Sequence, residues 1–394
     1  MNNKKLDIII YGATGFTGSL CVKYLKENYP DINWGIAGRN LNKLQNLRQL
    51  YSLDCKIIIA DARDSLALDK LTERTKVVLS TAGPFYRYGT KLVESCIKNQ
   101  THYVDITGET LWIEELISKY HEEAKKKSIR IVPSCGFDSI PSDLGSLFAQ
   151  RNYEKPIKSI DTFYKWKGEA SGGTIETMFS LIKKKKSFSN PFILNPKNSV
   201  SAFQKSQTLD KIRIKKNILL NIWSGPFIMG PTNSSIVRRS AALLYENGDG
   251  YSKDFIYQES AYYSNKLSAY IGTFLLVIFI LSILTPLNKI IRLFLKKPGQ
   301  GPSIRVMNEG FFKAKLLVDS KFDEKAVFEI YGKGDPGYKV TSLLVCESAL
   351  SLLEDKSILP GGKDYGGILT PSSGLGDVLI KRLINAGISF KKVS

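Results

Sequence analysis

Histidine and cysteine are both scarce, with two and five copies in 394 residues, and neither gathers into a cluster. Cys21, Cys55, Cys96, Cys135 and Cys346 are odd in number and widely spaced, with no CxxC pair. That excludes a disulfide framework and a zinc site of recognised ligand spacing, so no metal is expected and a reducing compartment is. His102 precedes a strand-like run and His121 sits on a basic, polar helical stretch; both read as structural. There is no internal repeat and no stretch polar enough to be disordered, since 43% of residues are hydrophobic and 24% charged, as in ordinary folded proteins. No cleaved leader is expected either, since Met1–Lys5 is short and polar and a strand-like run begins at once, and the expected location is the cytosolic side. Acidic charge is in short supply, with 37 Asp and Glu against 56 Lys and Arg. The net +19 favours an anionic surface or ligand. Nucleic acid and anionic lipid both qualify, but no nucleic-acid recognition motif accompanies the charge, so no nucleic-acid partner is expected and a lipid surface accounts for it. The length exceeds what one core usually fills, and two domains are expected.

Asp7–Tyr11 reads D-I-I-I-Y, a β-branched run suited to a strand buried on both faces of a parallel sheet. Gly12-Ala13-Thr14-Gly15-Phe16-Thr17-Gly18 follows with GxxGxxG spacing, and Ser19–Glu27 carries Leu20, Val22 and Leu25 as a helix would. Such a turn needs glycine for positive φ, for close approach of backbone to a pyrophosphate and for tight helix–strand packing. Gly12, Thr14, Gly15, Phe16 and Gly18 are therefore the candidate phosphate cradle, with the helix N-terminus facing the phosphates. The next strand-like run, 33–38, ends in Arg39, where an NAD site usually places an acid, and Lys43 lies one turn on. Guanidinium suits a 2′-phosphate, so NADP, as NADPH, is the expected cofactor. Asp61 ends a third run at a position that serves either adenine contact or helix capping. Thr81, Ala82, Gly83 and Pro84 end a fourth, on the nicotinamide side, where open α/β sheets bind ligands.

Y-G-A-T-G-F-T-G, A-G-R-N and G-P-F-Y-R-Y-G in this order resemble the saccharopine dehydrogenase-like oxidoreductases. The resemblance continues nearly end to end through Y-V-D-I-T-G-E at 103–109, C-G-F-D-S-I-P-S-D at 135–143, S-G-G-T at 171–174 and G-G-I-L-T-P at 366–371. It is nearest to the branch of trans-acting enoyl reductases and the animal saccharopine dehydrogenase-like protein. It implies an NADP-dependent reduction, for the enoyl reductases of a carbon–carbon double bond in a lipid intermediate, and for the animal protein an association with membranes or lipid bodies. It also implies that the chain end rejoins the nucleotide domain.

The expected architecture is an α/β Rossmann domain, a doubly wound parallel sheet, over 1–142. An α+β substrate domain follows over 143–335, and C-terminal helices over 336–394 pack back on the first. Pro141 and Ser142 open a helix through Gln150, Ile160–Tyr164 alternates like a strand, and a helix from Thr174 ends in the lysines 183–186. The segment 187–263 shows no clear periodicity. Phe311–Asp319 and Glu324–Gly332 alternate as strands, while Thr341–Leu353 and Ser373–Asn385 are periodic as helices, the latter stopped by Gly387.

Leu267–Asn288 carries no charge, and 288–297 continues as a basic amphipathic stretch. Together 267–297 reads as a monotopic anchor on the cytoplasmic face of a membrane; a full span and a buried core helix or homodimer interface are the alternatives. For an enoyl reduction the candidate proton donors are Tyr86 and Tyr88, after the fourth strand, and Asp138, with Ser139, in the loop before the second domain. The expected function is a membrane-associated NADPH oxidoreductase acting on a lipid-like small molecule. A saccharopine-type amino-acid dehydrogenase and a nonenzymatic nucleotide-binding scaffold on a lipid surface remain as alternatives.

Overall fold

A computed structural model of the chain describes residues 6–169, 190–208, 213–285, 288 and 301–394. These fall into two compact units. The first holds the described residues up to Ile140 together with Gly337–Ala386; the second holds those from Pro141 to Pro336, Gly301 apart, and Gly387–Ser394. Among the described residues the strands are β1 Leu6–Tyr11, β2 Trp34–Gly38, β3 Lys56–Ile59, β4 Thr75–Ser80, β5 His102–Asp105, β6 Arg130–Val132, β7 Ile157–Lys167, β8 Lys215–Asn217, β9 Ile222–Gly225, β10 Ile256–Tyr263, β11 Phe311–Ser320, β12 Lys325–Lys333, β13 Gly367–Ile368 and β14 Ser389–Lys392.

The first unit is a parallel sheet in the order β13-β6-β5-β4-β1-β2-β3. β1 is an inner strand beside the central β4, and its Ile8, Ile9 and Ile10 are wholly buried because helices cover both faces. Helices α1 Phe16–Asn28, α2 Leu41–Leu50, α3 Ser65–Thr72, α4 Phe85–Tyr88, α5 Thr90–Lys98 and α6 Thr110–Lys126 join the strands. In α1 the buried residues are Gly18, Cys21, Val22 and Leu25, the i, i+3, i+4, i+7 spacing of one helical face. Asn40 and Asp64 cap α2 and α3 by accepting amides from the first turns.

The C-terminal helices complete this unit. Helix Thr341–Ser351 packs beside α1, and at their contact Glu347, fully buried, accepts from the hydroxyls of Tyr24 and Tyr29 at 2.6 Å each and from Arg382 Nε at 2.8 Å. Arg130 of β6, also fully buried, donates to the carbonyls of Gly374, Pro360 and Gly362 at 2.7–2.9 Å, so it ties the C-terminal loops to the sheet. The single helix expected over Ser373–Asn385 is two pieces, Pro371–Gly374 and Gly376–Asn385. They part at Gly376, which has φ of 51°.

The second unit is a mixed sheet in the order β14-β12-β11-β7-β10-β9-β8. Only β7 and β10 pair in parallel; the other neighbours are antiparallel. Helix α7, Ile140–Asn152, belongs here, and so does β14, which brings the last residues of the chain onto β12. Helix Gly230–Glu246 and strands β8 to β10 fill the stretch that showed no periodicity. That helix is buried almost all round, by polar residues as well as apolar ones, so it has no apolar stripe to read. Its Arg238 and Arg239 donate to the carbonyls of Pro191, Tyr257 and Leu194. The expected helix 174–184 with its lysines 183–186, the S-G-G-T motif and the basic stretch 289–297 lie outside the described residues.

Removing one partner from a buried, fully bonded charge costs far more than deleting an exposed ion pair. Glu347→Ala leaves two hydroxyls and Arg382 without their shared acceptor and is expected to lower unfolding free energy by about 3 kcal/mol. Urea denaturation checks this, and a change of a few tenths of that size contradicts it.

Candidate functional site

The sheet order reverses between β1 and β4, since β1 leads to β2 on one side and β4 lies on the other. A crevice forms at such a switch point, outside the carboxyl ends of the strands. Two loops meet there. Gly12, at φ 83°, follows β1, and Thr81 follows β4; Thr81 N donates to Tyr11 O at 2.9 Å and Thr81 Oγ1 to Gly12 O at 3.2 Å. A Cβ on Gly18 would stand 2.3 Å from Gly12 O and 2.8 Å from Thr81 Oγ1, and one on Gly12 would stand 3.0 Å from Ala82 N. No side chain can be added where the turn, the helix and the β4 loop come together. Helix α1 starts at Phe16 behind Gly15, and no side chain caps its first turn. The positive end of the helix is left for an anionic ligand, which is what a pyrophosphate cradle requires. Thr14 is exposed on this turn, and Phe16 packs edge-on against Tyr338 at 4.7 Å.

Arg39 and Lys43 are both exposed, at the end of β2 and in the first turn of α2. Asp61 follows β3. Its carboxylate accepts from Nε and Nη2 of Arg63 at 2.9 Å each and from the Arg63 amide, which hold it well below the usual carboxylate range. Burial pushes the Tyr11 phenol up to about 12, with Asp61 adding to the rise and Arg39 opposing it. Tyr11, Arg39 and Asp61 therefore share one field at the carboxyl ends of β1, β2 and β3. The sequence reading missed Arg63, whose only signal is the D-A-R turn itself.

Beyond Thr81, Ala82 and the cis Gly83–Pro84 peptide, the chain makes the short helix α4. The buried carboxylate of Glu109 accepts from Phe85 N at 2.9 Å and Tyr86 N at 2.8 Å, so it fixes where α4 begins. Tyr86 is exposed, with the Arg87 guanidinium over its ring, and Tyr88 is half-buried. Glu109 was legible only as a motif letter, because nothing in its neighbours shows which backbone it meets. Asp105, at the end of β5, accepts from Thr107 N, Ser134 N and the Tyr103 hydroxyl at 2.9–3.0 Å. Burial outweighs these donors and pushes its carboxyl up to about 7.

Asp138 follows β6, two strands along from β4, in a loop whose Phe137 amide donates to Thr341 Oγ1. It is half-buried, and desolvation pushes its carboxyl up to about 6. Ser139 Oγ donates to the Asp138 carbonyl. The two histidines each accept a backbone amide through Nδ1, His102 from Arg130 and His121 from Ile368.

A strand, a glycine turn and an uncapped helix at the switch point of a 3-2-1-4-5-6 sheet define a Rossmann-type dinucleotide-binding domain. Residues 8–132 match the family model described as the saccharopine dehydrogenase NADP binding domain. A Mycobacterium tuberculosis protein named as an inferred trans-acting enoyl reductase is 31% identical over 98% of this chain and 97% of its own length. A second relative from that organism, named trans-acting enoyl reductase, is 29% identical over the same shares. Among solved structures, saccharopine dehydrogenase (L-Glu forming) from Saccharomyces cerevisiae is similar in fold. Its TM-score is 0.54 at 15% identity, covering 99% of this chain and all of that one. The chain belongs to the saccharopine dehydrogenase-like family and is an NADP-binding oxidoreductase of that family, with a parallel Rossmann-like sheet and a second, mixed sheet.

Two outcomes follow from this geometry. Gly18→Ala forces a Cβ onto Gly12 O and is expected to abolish dinucleotide binding by calorimetry; wild-type affinity contradicts the cradle. The folded state holds a proton on Asp105 that the unfolded chain releases above the ordinary aspartate pKa of 3.8, so this group's stabilisation is full at low pH and is lost as pH rises to about 7. Asp105→Asn is expected to flatten the stability decline across that window, by at most about 1.4 kcal/mol per pH unit. Denaturation midpoints that keep the wild-type pH slope contradict the assignment.

Proposed function

We propose that this protein is an NADPH-dependent reductase that saturates an activated carbon–carbon double bond in a lipid-like or polyketide-like small molecule. The observation that carries the reading is the pairing of the glycine cradle with Arg39 in place of an acid at the end of β2. The residues fit the cofactor. Gly12, Gly15 and Gly18 let the turn, α1 and the β4 loop close together as a pyrophosphate cradle needs, the uncapped α1 supplies amides to it, and Arg39 with Lys43 offers charge-assisted hydrogen bonds to a 2′-phosphate. Asp61, oriented by Arg63, stands at the adenosine end. Thr81 to Pro84, anchored through Thr81 to β1 and followed by α4 on Glu109, form the wall on the nicotinamide side.

When bound, NADPH supplies a hydride to the β-carbon, and the reduction needs one proton at the α-carbon or on the conjugated carbonyl. Tyr86 and Tyr88 on α4 and Asp138 after β6 are the acids at this edge of the sheet. Asp138 has a carboxyl raised to about 6, so part of its population holds a proton near neutrality and can donate it. The choice of an enoyl substrate is supported by the names of the full-length relatives, which match nearly end to end.

Arg39→Ala is expected to raise the KM for NADPH roughly ten- to a hundredfold, the worth of hydrogen bonds to a charged group, and to leave that for NADH little changed. The assay follows loss of NADPH absorbance with α,β-unsaturated acyl thioesters and identifies the saturated product by mass. Equal losses for both cofactors contradict the role of Arg39. NADPH binding without turnover of any such thioester contradicts the enoyl reductase reading and favours a scaffold.

A further inference from the structure

In the second unit, helix Lys266–Leu284 is 19 residues long, has mean hydropathy 2.5 and carries no charge after its first residue. A core position does not explain it, since only Ala269, Ser282 and Ile283 are buried. Leu267, Ile271, Phe274, Ile278 and Leu281 recur at intervals of three and four and are exposed, Leu267 by 70% and Phe274 by 64%. They make one apolar stripe along the whole helix.

The opposite side is apolar for a different reason. A Cβ on Gly272 would stand 2.5 Å from the Tyr263 ring, and one on Gly225 of β9 would stand 3.0 Å from Thr273 Oγ1. Small residues there let the helix lie against β9 and the end of β10, and the buried residues fall near both of its ends. Because protein covers residues near both of its ends, the helix is placed to lie along a surface, not to cross one.

Charge and aromatics indicate what covers the stripe. The Lys266 ammonium lies 5.9 Å from the Trp223 ring centroid and 6.0 Å from that of Tyr270, a grouping of cation and amphipathic rings that suits a headgroup layer. The sequence after the helix adds Lys289, Arg292, Lys296 and Lys297, and the whole chain carries +19. A second copy of this chain would bring the same cations against these, whereas anionic lipid neutralises them.

We propose that helix Lys266–Leu284 lies in the plane of an anionic lipid membrane, with the Leu267–Leu281 stripe sunk about 5–10 Å into the acyl boundary. Lys266 and Trp223 sit at its headgroups, and the leaflet is the cytosolic one, which carries the negative surface potential. This inference is independent of the reductase reading.

Flotation of the full-length protein tests it, using vesicles of phosphatidylcholine alone and with phosphatidylserine as minor component. The protein is expected to float with the mixed vesicles and less with the neutral ones. Ile271→Asp combined with Ile278→Asp is expected to weaken recovery about tenfold or more, because each carboxylate must enter the apolar layer. Both positions are exposed, so the urea midpoint and NADPH binding should hold. Orientation is read on the vesicle-bound wild-type surface. With Cys55→Ser removing the half-buried thiol and the other four thiols buried, Ser264→Cys and Asn288→Cys should both react with an impermeant maleimide added outside. Absence of flotation, or unchanged flotation of the double variant, overturns the proposal. So does protection of one of the two cysteines, which marks a span. A dimer that the double variant dissociates, without vesicle binding, makes the stripe a subunit interface and overturns it as well.

Discussion

The first unit is organised around the distance of closest approach between α1 and the turn that precedes it. With hydrogen alone at Gly18, the helix sits against the Gly12 carbonyl and the Thr81 hydroxyl; a methyl there would be 2.3 Å from that carbonyl. This contact aims the uncapped first turn of α1 across the switch point, and it also sets which way the rest of the helix points. Further along α1, Tyr24, and just past its end Tyr29, reach Glu347, so helix Thr341–Ser351 is docked by a buried carboxylate with three donors. The glycine turn thus positions both the phosphate cradle and the C-terminal helices that cover α1.

On the other side of the crevice, buried acids do the corresponding work. Glu109 fixes the amides that open α4, and Asp105 gathers Thr107, Ser134 and Tyr103 at the end of β5. Each accepts from backbone, so each converts a loop into a rigid wall beside β4. The second unit has its own example in Glu259, fully enclosed with Tyr257 and Asn233 and pushed up to about 7 by burial. Carboxyls raised toward neutrality mark both sheets, and those of the first unit stand at the end of β5 and in the loop after β6.

How much of this was legible follows from what each signal encodes. β1, the glycine turn and α1 were readable because strand burial and helix periodicity are local, and because the turn demands a residue type that nothing else can replace. β11 and β12 read to within about a residue at each end, since a half-exposed sheet alternates faithfully. Helix Gly230–Glu246 and β10 did not, because burial on all sides by Arg238, Arg239, Gln258 and Glu259 erases the period that reveals an element. In the site, Gly12, Gly18, Arg39 and Thr81 were placed by sequence position alone. Glu109 and Arg63 act through contacts that no spacing records, one with the amides of α4 and one with Asp61. The uncharged run 267–288 was read as long enough to enter a membrane, but its exposure depended on small residues meeting β9 and Tyr263, which only the fold brings together.

The central claim is that one crevice, between the loops after β1 and β4, receives NADPH. Amide hydrogen exchange of the full-length protein with and without NADPH tests it most directly. Exchange is expected to slow at Gly12–Leu20 and across Thr81–Tyr88, with the turn after Arg39 slowed by NADPH and less so by NADH. Protection confined to the second unit, or no difference between the free and NADPH-bound protein at either loop, would contradict it.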